Sequence, residues 1–285
     1  MYEEFDLICV LGPTASGKTR YAVALARDLD AEIISGDSRQ VYRGMDIGTG
    51  KDLCEYGDVP YHLIDIVDAG TKYNIYEYQK DFEKVYRDII SRGKRAILCG
   101  GSGLYLEAVT RGYNLPDVPA DPRLRSELEQ YDDATLIARL ASLQPLHNHT
   151  DYDTRKRLIR ALEIAIYEKE HPVNHTRFLP KNTKFIGIDV SREVRNERID
   201  RRLEARLQAG MVEEVQHLLD SGIPAEDLIY YGLEYKFVTQ YLIGELSFRE
   251  MHDKLQTAIH QFAKRQMTWF RGMERRGIEI EWVKF

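Results

Sequence analysis

Eight consecutive residues near the start of the chain, Gly12-Pro13-Thr14-Ala15-Ser16-Gly17-Lys18-Thr19, satisfy G-x-x-x-x-G-K-[ST] at every fixed position. Glycines at both ends let the backbone curl until successive N–H groups point at one anion. Lys18 adds a cation for the outer phosphate, and the Thr19 hydroxyl is the expected ligand for Mg²⁺. A buried-type strand precedes the loop and a helix follows it, which is the context the motif needs. This segment binds a phosphate chain, but its spacing does not say which one. An NTP hydrolase would add an apolar strand ending in a second metal-binding Asp. The nearest candidate is His62-Leu63-Ile64-Asp65, and Asp65 reads better as an ordinary strand-end residue. A motor or switch protein is therefore not supported.

A second chemical signal is Asp37, in Ile33-Ile34-Ser35-Gly36-Asp37-Ser38-Arg39-Gln40. It stands just past the C-terminal end of a strand, the edge where open α/β sheets hold ligands. A carboxylate there can take a proton from a nucleophile attacking in line with bound phosphates; it can equally be a turn former. The third signal is Arg198, Arg202 and Arg206, one residue behind a core stripe of Ile199, Leu203 and Leu207 on a helix read from Glu197 to Leu207. Packing of that helix against the sheet edge would turn the guanidinium groups toward the phosphate loop, with Arg202 clamping a phosphate. The competing reading pairs them along their own helix with Glu197, Asp200 or Glu204.

The elements that must hold these residues follow from periodicity. Strands are predicted at Leu7–Leu11, Ala31–Ser35, His62–Val67, Arg95–Cys99, Lys184–Val190 and Ile278–Val283, and helices at Arg20–Leu29 and Tyr76–Ile90. The alternation predicts a parallel sheet with right-handed crossovers. Asn114 to Pro122 carries three prolines, Pro116, Pro119 and Pro122, and reads as a boundary loop; from Arg123 to about Glu170 the pattern is helical only. The expected fold class is α/β, a P-loop NTPase-like parallel core with helices on both faces and a helical insertion domain. Residues 1–116 and 182–285 form the core and 117–181 the insertion.

With 285 residues, 43% hydrophobic and 30% charged, the chain is globular in composition. Its net charge of −6 announces no polyanion partner, yet charge is uneven. Residues 1–120 hold 14 basic against 19 acidic side chains, residues 155–206 hold 14 against 8, and residues 264–276 hold 5 against 1. Nucleic-acid binding would have to use the last two segments. Cys9, Cys54 and Cys99 lack metal-ligand spacing, and no apolar run approaches the roughly 18 residues of a membrane span. The expectation is a cytoplasmic monomer with no membrane partner.

In order along the chain, GPTASGKT, SGDSRQVYRGMDIGTGK, GGSGLYLEAV, PADPRLRSEL, RKRLIRALEI and FAKRQMTWFR resemble the tRNA dimethylallyltransferase (isopentenyl-diphosphate:tRNA transferase) family. The resemblance runs from Leu7 to about Arg271. It implies that Gly12 to Thr19 hold the diphosphate of dimethylallyl diphosphate with Mg²⁺, and that the prenyl group moves to N6 of adenosine 37, beside the tRNA anticodon. It makes Asp37 the base at N6; with it, Thr14 of the phosphate loop and Arg202 of the arginine stripe are the expected catalytic residues. Asp37, Ser38, Arg39 and Gln40 would contact the target base. Ser102, where the family usually has Thr, together with Arg125, Lys156, Arg157, Leu158, Ile159, Arg160, Lys264, Arg265 and Gln266, would contact the anticodon stem-loop. Trp269 and Phe270 read as core in preference to stacking surfaces. Further departures from the family pattern are Gly50 and Asp52 for the alanine and proline of IGTAKP, and Glu234 and Phe237 for the first and last residues of GYKE or GYRQ. Adenylate isopentenyltransferases, which use a free nucleotide, and P-loop small-molecule kinases are the alternative readings.

Overall fold

A computed structural model describes residues 2, 4–113, 115, 118–144, 153–171 and 178–285. The chain divides into two compact units, Met1–Tyr113 with Phe178–Phe285, and Asn114–Arg177. Among the described residues no helix is long and apolar enough to cross a membrane.

The first unit is built on a six-stranded sheet whose paired neighbours all run parallel. Its strands are β1 (Leu7–Leu11), β2 (Ala31–Ser35), β4 (Tyr61–His62), β6 (Arg95–Gly100), β7 (Thr183–Asp189) and β8 (Ile280–Lys284), in the order β4-β2-β6-β1-β7-β8. A separate parallel pair joins β3 (Tyr42–Arg43) to β5 (Val67–Asp68). Every residue of β1 is buried, because successive side chains enter different cores. Leu7, Cys9 and Leu11 pack with Tyr78, Phe82 and Phe270, whereas Ile8 and Val10 pack with Ala22, Val23 and Ala26. Helices therefore cover both faces: α1 (Lys18–Leu29) on one side, and α2 (Ile75–Ser91) with α11 (Phe248–Arg275) on the other. A third core gathers α7 (Arg192–Gln208), α8 (Met211–Asp220), α9 (Ala225–Tyr230) and α10 (Leu233–Leu242) against α11 and the Val41–Met45 turn.

The predicted strand His62–Val67 is two two-residue strands in different sheets. Leu63 and Asp65 adopt left-handed backbone, φ 60° and 55°, so β4 and β5 cannot be one continuous strand.

In the second unit, α4 (Pro122–Leu128), α5 (Asp133–Leu143) and α6 (Arg155–Glu170) bury Leu128, Leu136, Leu140, Leu158 and Leu162 together. The proline-rich segment ends as a helix start: Pro122 is the first residue of α4, and the Asp121 carboxylate caps it by accepting from Arg123 and Leu124 N–H. Asn114 and Pro116, in the same expected loop, lie outside the described residues.

Candidate active site

Strands β2, β6 and β1 are neighbours, so the loops leaving their C-terminal ends converge on one edge of the sheet. β1 delivers the phosphate loop, β2 delivers Asp37, and β6 delivers Gly101 and Ser102 ahead of α3 (Gly103–Thr110). The approach of β6 to β2 is close: a Cβ on Gly100 would overlap the Gly36 carbonyl. The three loops border a cavity of about 590 Å³, lined by Thr14, Lys18, Thr19, Asp37, Arg202 and Trp269 among others.

The phosphate loop has the expected form. Gly17 stands at φ 88° as the N-cap of α1, offers no side-chain cap, and no acidic residue occupies the first turn. The opening N–H groups of α1 thus keep their partial positive charge for an anion. Burial holds the Lys18 ammonium below its ordinary 10.5, with Cys99 and Asp37 pulling the other way. A half-desolvated cation of this kind gains most when an anion arrives. Thr14 is tied to α11, where the Gln266 side chain accepts from Thr14 N–H at 2.8 Å and donates to Gly101 O at 2.9 Å. Gln266, expected at the RNA surface, is instead buried, and its amide bridges the β1 and β6 loops.

Asp37 Oδ1 accepts from Arg39 N–H at 2.9 Å, a local turn that fixes the carboxylate on the cavity wall. Ser102 Oγ accepts from Ser38 N–H at 3.2 Å. Gln40 has both ends engaged, accepting from Ser35 Oγ at 3.1 Å and donating to Gly50 O at 3.2 Å. Arg39 lies 5.5 Å from the centre of the Tyr230 ring, which is 61% exposed.

The arginine stripe points toward the loops as expected, and none of the three pairs along its own helix. Arg198 donates to Ser16 O at 3.4 Å, Arg202 to Gly50 O at 3.3 Å and to Asp52, and Arg206 faces Glu234 at 3.6 Å. The intrahelical competitors are engaged elsewhere: Glu197 with Arg201, Asp200 with His260, and Glu204 with His252.

Several positioning residues left no local mark in the sequence. Glu214 on α8 accepts from the N–H groups of Asp46, Ile47 and Gly48 at 2.7–3.0 Å and from Tyr235 OH at 2.6 Å, which fixes the loop carrying Thr49 and Gly50. Buried Lys51 donates to Tyr42 O and Asp46 Oδ1, both at 2.6 Å, and to Asp65. Asp65, weighed above as a metal carboxylate, is thus the partner of a lysine. Trp269 is 37% exposed and Phe270 is fully buried, so the two rings part company. Fully buried Glu107 accepts from Trp269 Nε1 at 2.7 Å, and a Cβ on Gly103 would overlap the indole. Trp269 is therefore a fixed ring on the cavity wall. Lys264 and Arg265 are exposed on α11, and Arg265 also lines the cavity.

In the second unit the expected contact residues are arranged differently. Leu158 and Ile159 lie in the helical core, 1% and 7% exposed, so their side chains are withdrawn from any RNA surface. Arg125 makes a two-pronged contact with Glu163, whose other partners are Arg160 and Asp121 N–H. Arg157 donates to Asp153 at 2.9 Å, and Lys156 is exposed.

Residues 40–273 match the family described as IPP transferase, and residues 5–56 match the one described as isopentenyl transferase. The chain is 59% identical over 281 residues to "tRNA dimethylallyltransferase 2" of Porphyromonas gingivalis, covering 97% of this chain and 93% of that protein. It is 58% identical over 285 residues to "tRNA dimethylallyltransferase 1" of Parabacteroides distasonis, covering 99% and 93%. Among solved structures, the full-length tRNA isopentenylpyrophosphate transferase of Bacillus halodurans superimposes with a TM-score of 0.71 at 36% identity, over 99% of this chain and 90% of that one. The phosphate loop, the Asp37 turn and the α7 arginines thus sit in a sequence that is similar throughout to tRNA prenyltransferases, and the chain belongs to the IPP transferase family.

Proposed function

We propose that this protein transfers a dimethylallyl group from dimethylallyl diphosphate to N6 of adenosine 37 in tRNA. The observation that carries the reading is the meeting of Lys18, Arg202 and Asp37 on one cavity, an anion site beside a carboxylate. The names of the relatives at 58–59% identity support the acceptor and the group transferred.

The chemistry asks three things of the chain. The bond from the allylic carbon to the diphosphate oxygen breaks, its electron pair leaves with the diphosphate, and charge grows on that group. Lys18, Arg202 and the opening N–H groups of α1 are placed to meet it. N6 of adenine must attack while losing a proton, because its lone pair is delocalised into the ring. Of the cavity's carboxylates, Glu234 faces Arg206, and Asp37 is the one placed to receive that proton. A buried base could not present N6 in line, so the nucleotide must be extruded from its loop. Trp269, Arg265 and Arg39, which also line the cavity, are side chains an extruded base could meet.

Thr19 fits a role in holding Mg²⁺. Thr19 lines the cavity next to Lys18, and this hard ion commonly takes one protein oxygen with the rest of its shell from phosphates and water. Bound there, the ion would neutralise part of the diphosphate charge. The reading carries with it a monomeric, cytoplasmic enzyme.

The test is purified protein with labelled dimethylallyl diphosphate and either tRNA or AMP, followed by nucleoside analysis. Label in N6-dimethylallyladenosine from tRNA alone is the expected result. Label on AMP would move the protein to the adenylate-type transferases, and ADP formed from ATP in step with substrate consumption would make it a kinase.

A further inference from the structure

Two of the departures from the family pattern, Gly50 and Glu234, meet in space at one side chain, Arg206. Arg206 lies near the C-terminal end of α7 and Glu234 in the first turn of α10. Their side chains are 13% and 20% exposed, and the charged groups stand 3.6 Å apart, an ion pair longer than a hydrogen bond. Both side chains line the cavity that holds Lys18 and Arg202.

Gly50 explains how Arg206 gets there. A Cβ on residue 50 would overlap Arg206 Nη2 and would stand 2.5 Å from Arg202 Nη2. Two guanidinium groups therefore crowd one point above the Gly50 backbone, and only a residue without a side chain leaves them room. Like charges so close repel, and burial adds to the cost. Desolvation and then Arg202 bring Arg206 down to about 10, and desolvation raises Glu234. The ion-pair partners are Asp52 for Arg202 and Glu234 for Arg206, with Asp52 also offsetting part of the Arg206 charge.

Two neighbouring guanidinium groups, one of them paired only at 3.6 Å, are matched by one polyvalent anion better than by two separate monoanions. Among the described residues Arg206 makes no side-chain hydrogen bond, so its five donors stay open, while Arg202 already reaches the Gly50 carbonyl. Neither residue is needed to complete the apolar core here, which Ile199, Leu203 and Tyr235 supply.

We infer that Arg206 is a second guanidinium for the donor's diphosphate, and that Glu234 is its positioning residue, holding it over Gly50 at the cavity wall. The inference rests on the reading of the cavity as a diphosphate site. In a transfer that leaves its growing charge on the diphosphate, a second prong beside Arg202 stabilises the leaving group more than the intact donor. Its loss should therefore lower turnover as well as affinity.

The experiment is calorimetric titration with inorganic pyrophosphate plus Mg²⁺, and separately with dimethylallyl diphosphate. The proteins are wild type, Arg206→Met, Arg206→Lys, Glu234→Gln and the double variant Arg206→Met/Glu234→Gln. The double variant removes both charges and so leaves no buried orphan. Melting temperature without ligand reports folding for each. Arg206→Met is expected to weaken pyrophosphate binding roughly 10- to 100-fold, the loss of a charge-assisted contact. Arg206→Lys should recover part of it, and Glu234→Gln should weaken binding on its own yet add nothing once Arg206 is gone. Affinity for tRNA should stay as in the wild type. If folded Arg206→Met and the folded double variant both bind pyrophosphate within about twofold of wild type, the pair is structural and the inference is overturned. If pyrophosphate binding depends on Arg206 but labelled prenyl never reaches tRNA, the anion fork stands and the proposed function fails.

Discussion

Helices α6 and α7 are both rich in arginine, and the fold uses those arginines in opposite ways. On α7 the acidic neighbours are drawn off to Arg201, His260 and His252, and Arg198, Arg202 and Arg206 extend to the loops around the cavity. On α6 one carboxylate, Glu163, is nearly fully buried within its own unit and gathers Arg160 and Arg125 to itself. Composition does not separate the two helices. What separates them is the bond each partner makes: buried Glu163 accepts hydrogen bonds from Arg125 and Arg160, whereas Glu234 stands 3.6 Å from Arg206 and the Asp52 partner of Arg202 is 45% exposed. A cation bonded to a buried carboxylate serves the fold, and one whose partner is out of hydrogen-bond reach or exposed stays open to a ligand.

Replacing one arginine from each helix should break the symmetry of composition most visibly. Arg202→Ala should cut the single-turnover rate of prenyl transfer by about 10²–10³, the range for a lost charge-stabilising donor, with little change in melting temperature. Arg160→Ala should leave donor affinity and the chemical step unchanged and lower the melting temperature instead. Equal effects of the two on the chemical step would end the distinction.

Glu163→Gln sharpens the α6 side. It removes the charge that Arg125, Arg160 and Asp121 N–H share, and should destabilise the protein by about 1–3 kcal/mol, read from denaturant unfolding. Donor affinity should not respond. Because Glu163 sits below its ordinary carboxylate range, held there by its arginines against the opposing effect of burial, its contribution is complete above pH 4.5 and lost as pH falls below it.

A smaller effect should appear in the pH dependence of donor binding. Lys18 is needed as an ammonium, and burial holds it below 10.5. Above neutrality, affinity for dimethylallyl diphosphate should begin to fall at a pH lower than an ordinary lysine would give. Lys18→Arg, which stays charged, should flatten that limb in calorimetry across the same range.

Much of the site was legible in the sequence because its parts are local. The phosphate loop is contiguous, Asp37 sits one residue past Gly36 at the end of β2, and the α7 stripe follows from a spacing of four. The rest depends on pairings between distant segments. Nothing around Glu214 announces that its carboxylate will hold the backbone of residues 46–48, and Glu234 acquires a meaning only beside Arg206 and Gly50. Gln266 was visible as part of a motif, but its bridge from Thr14 to Gly101 required the β1 and β6 loops to be placed first. Leu158 and Ile159 show the opposite case. Their apolar character already fitted a helix core, and only the family resemblance of the whole Lys156–Arg160 segment drew them toward RNA. The false strand at His62–Val67 arose because an apolar run does not reveal left-handed residues such as Leu63.

The central claim is that Asp37 takes the proton from N6 while Lys18 and Arg202 take the diphosphate. The most direct measurement is the single-turnover rate of Asp37→Asn with saturating dimethylallyl diphosphate and tRNA, alongside both affinities. The amide keeps the shape and the acceptor for Arg39 N–H but not the basicity. The account predicts a rate lower by roughly 10²–10⁴ with both affinities little changed. A wild-type rate, or a defect confined to tRNA affinity with the chemical step intact, would contradict it.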